Sequence, residues 1–100
     1  MTRQRLPHRR FNETFEFNHE GVDFTASYGR DARGHIKELF LCGGKAGSVI
    51  EAMMSDASTA ISIALQNGVK PTDLAHSVVR NPDGSPASPI GYVVDDMVMG

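Results

Sequence analysis

The sequence predicts an α+β domain: a three-stranded antiparallel meander followed by one long and two short helices packed on one face. Three observations carry this. The runs FNETFEF (11–17) and VDFTASY (22–28) alternate apolar and polar residues, the period of a half-buried strand. From residue 48 the apolar residues recur at intervals of three and four, the period of an amphipathic helix. All the strand signals precede all the helix signals, which favours separate layers over alternating βαβ units.

The first strand places Phe11, Phe15 and Phe17 on one face, and the second places Val22, Phe24, Ala26 and Tyr28 together. NHEG lies between them, and Gly21 supplies the positive φ that a tight hairpin needs. GRDARG makes the next turn, with Gly29 and Gly34 as punctuation, and HIKELFLC (35–42) gives the third strand. Ser48 and Glu51 fit a capping box. The helix they open carries Val49, Ile50, Met53, Met54, Ala57, Ala60, Ile61, Ala64 and Leu65 as the stripe expected to pack on the sheet. Ala57, Ala60 and Ala64 suggest close approach to another backbone. Asn67-Gly68 ends the helix. Pro71 starts a second helix, with Leu74, Ala75, Val78 and Val79 as its buried side. NPDGSPASP is a loop by composition. Ser88 then caps a last helix from Pro89, with Ile90, Val93, Val94, Met97 and Val98 as its apolar positions. So apolar a helix must dock on the domain or on a partner.

One hundred residues allow a single domain with one modest core. The reading divides them into a basic arm or linker remnant at 1–10 and one domain at 11–100. Hydrophobic content of 40% and charged content of 22% are globular values. A formal charge of −2 gives no global attraction to nucleic acid or membrane. Arg3, Arg5, Arg9 and Arg10 crowd the first ten residues, but without interleaved aromatics a solvated tail is favoured over a nucleic-acid arm. Cys42 is the single cysteine, which excludes an internal disulfide, a cysteine zinc site and a dithiol pair. No apolar run approaches the ~20 residues of a membrane span, and the basic start lacks a signal peptide's apolar core. A cytoplasmic protein without membrane contact is expected.

The stretch CGGKAGSVIE at 42–51 is the one that raises a site. Gly43, Gly44, Lys45, Gly47 and Ser48 form a glycine-rich turn before a helix, where free N–H groups, the helix dipole and a lysine favour an anion or phosphate. The order of residues fits neither the Walker loop nor the dinucleotide fingerprint. A plain strand-to-helix turn explains the same glycines. His8, His19, His35 and His76 lack metal-ligand spacing, so no metal is expected. Cys42 reads as a buried small hydrophobe rather than a nucleophile, since no paired base is in view. Met53, Met54, Met97 and Met99 read as core or interface filler, and Asp95-Asp96 as a solvated helix face. No catalytic constellation emerges.

Three blocks carry a family resemblance: RLPHRR, then IKELFLCGGKAGSVIEAMMSDASTAISIALQNGVKPTDL, then SPIGYVVDDM. From about Leu6 to Met97 the chain resembles the C-terminal region of adenosylcobalamin (vitamin B12)-dependent class II ribonucleotide reductases. It is similar also to small TSCPD-type domains, named for a Thr-Ser-Cys-Pro-Asp motif that this sequence lacks. The resemblance implies a stand-alone copy without the catalytic barrel. That barrel's radical cysteine, reducing cysteine pair and cobalamin-binding residues have no positions here.

Ribonucleotide reduction takes a thiyl radical and two reducing thiols, and one cysteine does not supply them. The resemblance therefore implies a non-catalytic accessory domain in deoxyribonucleotide synthesis, acting by association with a reductase catalytic chain. Adenosylcobalamin would belong to that catalytic domain, with no cofactor on this chain. A homodimer is also expected, with Phe15, Phe17, Phe24 and Phe40 as apolar surface for packing or partners. Two alternatives stay open: a nucleotide- or phosphate-binding protein using the turn at 43–48, and a nucleic-acid binder using the arginine arm.

Overall fold

Alternating side chains and a two-residue loop set the sheet. The computed structural model describes residues 12–99, with strands β1 (Asn12–His19), β2 (Val22–Arg30) and β3 (Ile36–Gly43) in the order β1-β2-β3, each antiparallel to its neighbour. Helices α1 (Val49–Gln66), α2 (Pro71–Ala75) and α3 (Pro89–Met99) follow. The basic arm, with Arg3, Arg5, Arg9 and Arg10, lies outside the described residues. The first hairpin is tighter than its sequence suggests. Only Glu20 and Gly21 lie between the strands, with φ of 52° and 85°. Positive φ at both loop positions matches the right-handed strand twist. Asn18 holds the loop by accepting the Gly21 N–H at 3.0 Å and donating to Asp23 at 2.9 Å.

The register places Phe15, Phe17, Phe24, Ala26, Tyr28, Leu39 and Leu41 on one face. Thr14, Glu16, Thr25, Ser27, Phe40 and Cys42 share the other. Phe40 thus stands on the polar face, exposed, and does not join the other phenylalanines. Neighbours in a strand point to opposite faces, and Leu39 and Leu41 take the inward positions.

Helix α3 covers the apolar face. Val93 and Val94 are fully buried and Met97 nearly so. Tyr92 stacks on Phe17 with ring centroids 4.3 Å apart, and Phe17 lies 5.6 Å from Phe24. The Tyr28 hydroxyl donates to Asp96 at 2.7 Å, with the Val93 carbonyl oxygen also in reach at 3.2 Å. Burial, and then the Asp96 carboxylate, push the Tyr28 pKa far above its ordinary range. Asp96 is therefore an anchor and not part of a solvated face. Its neighbour Asp95 receives both nitrogens of Arg80, at 2.7 and 2.9 Å. The same guanidinium donates to the carbonyls of Ala75 and Gly84, so one side chain ties α2, the 81–86 loop and α3 together. That pairing holds the Asp95 carboxyl below the usual carboxylate range. The last helix docks within its own chain.

Helix α2 is shorter than its apolar pattern suggests. It stops at Ala75; Leu74, Ala75 and Val78 pack on the core, but Val79 lies beyond the helix and points to solvent. Ser88 caps α3 by accepting the Gly91 N–H at 3.0 Å.

Helix α1 begins and ends on side-chain and glycine chemistry. Ser48 accepts the Glu51 N–H at 3.1 Å, and Glu51 reaches back to the Gly47 N–H at 2.8 Å. At the far end Val69 N–H donates to Ala64 and Gly68 N–H to Leu65, the paired closure that a left-handed Gly68 permits. Between its ends α1 does what a fourth strand would do. The Ser62 hydroxyl lies 2.9 Å from the Leu39 N–H and 3.1 Å from its carbonyl oxygen, Gln66 donates to the Lys37 carbonyl, and Lys37 Nζ donates to the Leu65 carbonyl. The sheet edge at β3 is thereby closed.

That closure sets the rotation of α1. Met54, Ile61 and Leu65 turn toward the sheet's apolar face. At ~100° per residue, Val49 and Met53 come to lie roughly 140° and 180° around the axis from Ser62. The stripe expected to pack on the sheet is accordingly split. Its first members Val49, Ile50 and Met53 are 74%, 52% and 58% exposed.

Two measurements check this account. Ser62→Ala leaves both Leu39 backbone groups without their partner and should cost about 2 kcal/mol in urea unfolding, against near zero for the exposed Ser55→Ala. Tyr28→Phe should cost about 1.5 kcal/mol. Because the folded-state pKa of Tyr28 is raised, its contribution is complete below the ordinary value of 10.0 and declines as pH rises past it. The variant should therefore lose stability less steeply than the parent above pH 10.0.

Candidate functional site

The glycine-rich turn follows directly from the end of β3. Gly43 must be glycine because a Cβ there would lie 2.7 Å from the Asp23 carbonyl oxygen. Gly44 and Gly47 have φ of 76° and 78°. The structure brings Gly43, Gly44, Lys45, Gly47 and Ser48 into one exposed turn before α1. Two of its N–H groups are already engaged: Gly47 by the Glu51 carboxylate and Ser48 by the Lys45 carbonyl at 3.0 Å. An anion entering here meets a resident carboxylate. Lys45 pairs with no carboxylate among the described residues.

Immediately after the turn, Val49, Ile50 and Met53 form the exposed apolar end of α1. Ile50 also lies beside Gly44, so turn and patch form one continuous surface.

Cys42 is exposed on the polar face of the sheet, not buried as the sequence suggests, and opens into a groove of about 780 Å³ between β3 and α1, where Phe40, Ser55, Thr59 and Ile63 also stand. Its charged lining residues are Glu38 and Glu51. A thiol nucleophile needs a base in hydrogen-bond reach, and this lining offers no imidazole or amine. Among the described residues no group of three or more histidine, cysteine or acidic side chains converges on a metal position. His35 lies 3.7 Å from Asp31, and His19 Nε2 is buried 3.4 Å from Glu20, so each of these two histidines faces a single acid. No helix among the described residues is long and apolar enough to cross a membrane.

Sequence reasoning did not find the Tyr28–Asp96 and Arg80–Asp95 ties or the edge-closing role of Ser62. The first two join residues distant in sequence, which no local spacing reveals. Ser62 did leave a signal: Ser55, Ser58, Ser62 and Gln66 recur at helical spacing on one side of α1.

The turn yields a direct test of anion binding. Glu51→Gln removes the resident charge and should strengthen inorganic phosphate binding, read from the Gly47 and Ser48 amide shifts by NMR. Lys45→Ala should weaken it.

The sequence matches the TSCPD domain family over residues 2–93. The match includes the basic arm along with the sheet, α1 and α2, and runs into α3. No curated protein matches the chain, and no solved structure does. A match over nearly the whole length shows the family: this chain belongs to the TSCPD domain family, the domain found at the C-terminus of B12-dependent class II ribonucleotide reductases.

Proposed function

We propose that this chain acts as a non-catalytic accessory domain in deoxyribonucleotide synthesis, by docking on the catalytic chain of a class II ribonucleotide reductase. The observation that carries the reading is the exposed apolar end of α1, Val49, Ile50 and Met53, beside the glycine-rich turn. The family relation supplies the partner class. The chemistry of the residues supports a role without catalysis, because Cys42 is the one thiol in these hundred residues and reduction of a ribonucleotide consumes two.

Adenosylcobalamin does not enter the reading as a ligand of this chain. The larger groove offers hydroxyls and a thiol but no imidazole to approach a cobalt centre. The smaller groove of the domain, at the other end of β3, has one imidazole, His35, but it faces Asp31 and stands among Arg30, Lys37 and Lys70.

The helix supports docking in a second way. The patch is rigid before binding, since Ser48 and Glu51 fix the start of α1 and Ser62 and Gln66 fix its course along β3. Little conformational entropy is then lost on association.

Tagged chain should recover a class II reductase from the same cell and change that enzyme's activity when added back. Met53→Glu should weaken the association roughly tenfold, the scale of a charge placed in an apolar contact, while leaving the fold intact. Recovery of no reductase, together with unchanged reductase activity, would overturn the proposal.

A further inference from the structure

The groove at the start of β3 holds about 550 Å³ between the β2–β3 turn, the segment after α1 and the end of α3. Its apolar lining is Ile36, Val69, Met97 and Val98, of which Ile36 and Met97 are buried. Its charged lining residues are Arg30, Lys37 and Lys70, with His35 beside them, and no aspartate or glutamate lines it. The whole chain carries a formal charge of −2, so this segregation runs against the composition. The groove on the other side of β3 shows the reverse, with Glu38 and Glu51 and no cation.

The cations are not equally available. Arg30 is paired with Glu13 and donates to the Gly34 carbonyl, which offsets its charge. His35 faces Asp31. Lys37 donates one hydrogen bond to the Leu65 carbonyl in the last turn of α1, where the helix dipole offsets part of its charge, and keeps two further donors. Lys70 is exposed and pairs with no carboxylate side chain among the described residues. Two lysines at the rim of one groove repel each other and attract a common anion.

We propose that this groove is a binding site for a small organic anion, a phosphate or carboxylate carried on an apolar body. Lys37 and Lys70 take the charged group, and Val69, Met97 and Val98 take the apolar body. The site is separate from the glycine-rich turn. Turn and groove lie at opposite ends of β3, an eight-residue strand, and eight residues at ~3.3 Å each put them roughly 25 Å apart. Occupancy would also bridge the segment after α1 and the end of α3, both of which line the groove.

The test is an NMR titration of the intact 100-residue chain with four probes: phenyl phosphate, benzoate, inorganic phosphate and benzyl alcohol. Phenyl phosphate or benzoate should produce saturable shifts at the Gly34, Val69 and Thr72 amides, and the tighter of the two names the charged group. Inorganic phosphate lacks the apolar body and benzyl alcohol lacks the charge, so each should bind about tenfold more weakly. Lys70→Gln, at an exposed position that caps α2 through its backbone and not its side chain, should weaken the better anion about fivefold. Lys45→Gln, in the glycine-rich turn, should leave it unchanged. Equal binding of benzyl alcohol and phenyl phosphate would overturn the proposal. So would unchanged affinity in Lys70→Gln, shifts confined to the turn at 43–48, or no saturation by either aromatic anion at millimolar concentration.

Discussion

A sheet of three strands with one apolar face is stable only when that face is covered, and here α3 shares the cover with the Met54, Ile61 and Leu65 side of α1. The Tyr28 hydroxyl, held between Asp96 and the Val93 carbonyl, fixes where α3 sits. Tyr92 then stacks on Phe17, and Val93, Val94 and Met97 close over the strands. Breaking that anchor would leave a buried phenol without a partner and a helix without a register. The Arg80–Asp95 pair holds the other side of α3 to α2 and the 81–86 loop. Two polar ties thus position the helix that the hydrophobic contacts hold down.

While one side of α1 joins α3 on the apolar face, its polar side serves the sheet edge. Its hydroxyl and amide side chains bond both outward backbone groups of Leu39 and the carbonyl of Lys37, a way of protecting an edge without a further strand. The consequence is functional. A helix turned so that Ser62 meets β3 turns Val49 and Met53 away from it, and Ile50 at the end of the helix is left half uncovered. The surface proposed for docking therefore arises from the packing that stabilises the sheet. It sits against the glycine-rich turn, where Gly43 is required by the close approach of β2.

Much of this was legible in the chain. The alternation of FNETFEF and VDFTASY placed Phe15, Phe17, Phe24 and Tyr28 on one face, and the register confirms it. The caps at Ser48, Gly68 and Ser88 could be read because capping chemistry is local. The third strand is apolar on consecutive residues, so its alternation could not choose a face for Phe40, which the structure leaves exposed. Val79 was misassigned because α2 ends one residue after Leu74. Asp96 was read as solvated because its partner, Tyr28, lies at the far end of the chain. The two grooves could not be read at all, since each gathers residues from several separate segments.

The central claim is that the exposed end of α1, with the turn before it, is the face this domain presents to a reductase. Hydrogen–deuterium exchange of the chain, alone and mixed with a class II reductase catalytic chain, tests it most directly. The account predicts slowed exchange concentrated at residues 44–54, with α3 unchanged because it is already docked. Protection confined to the polar face of the sheet around Phe40 and Cys42, or no protection anywhere, would contradict it.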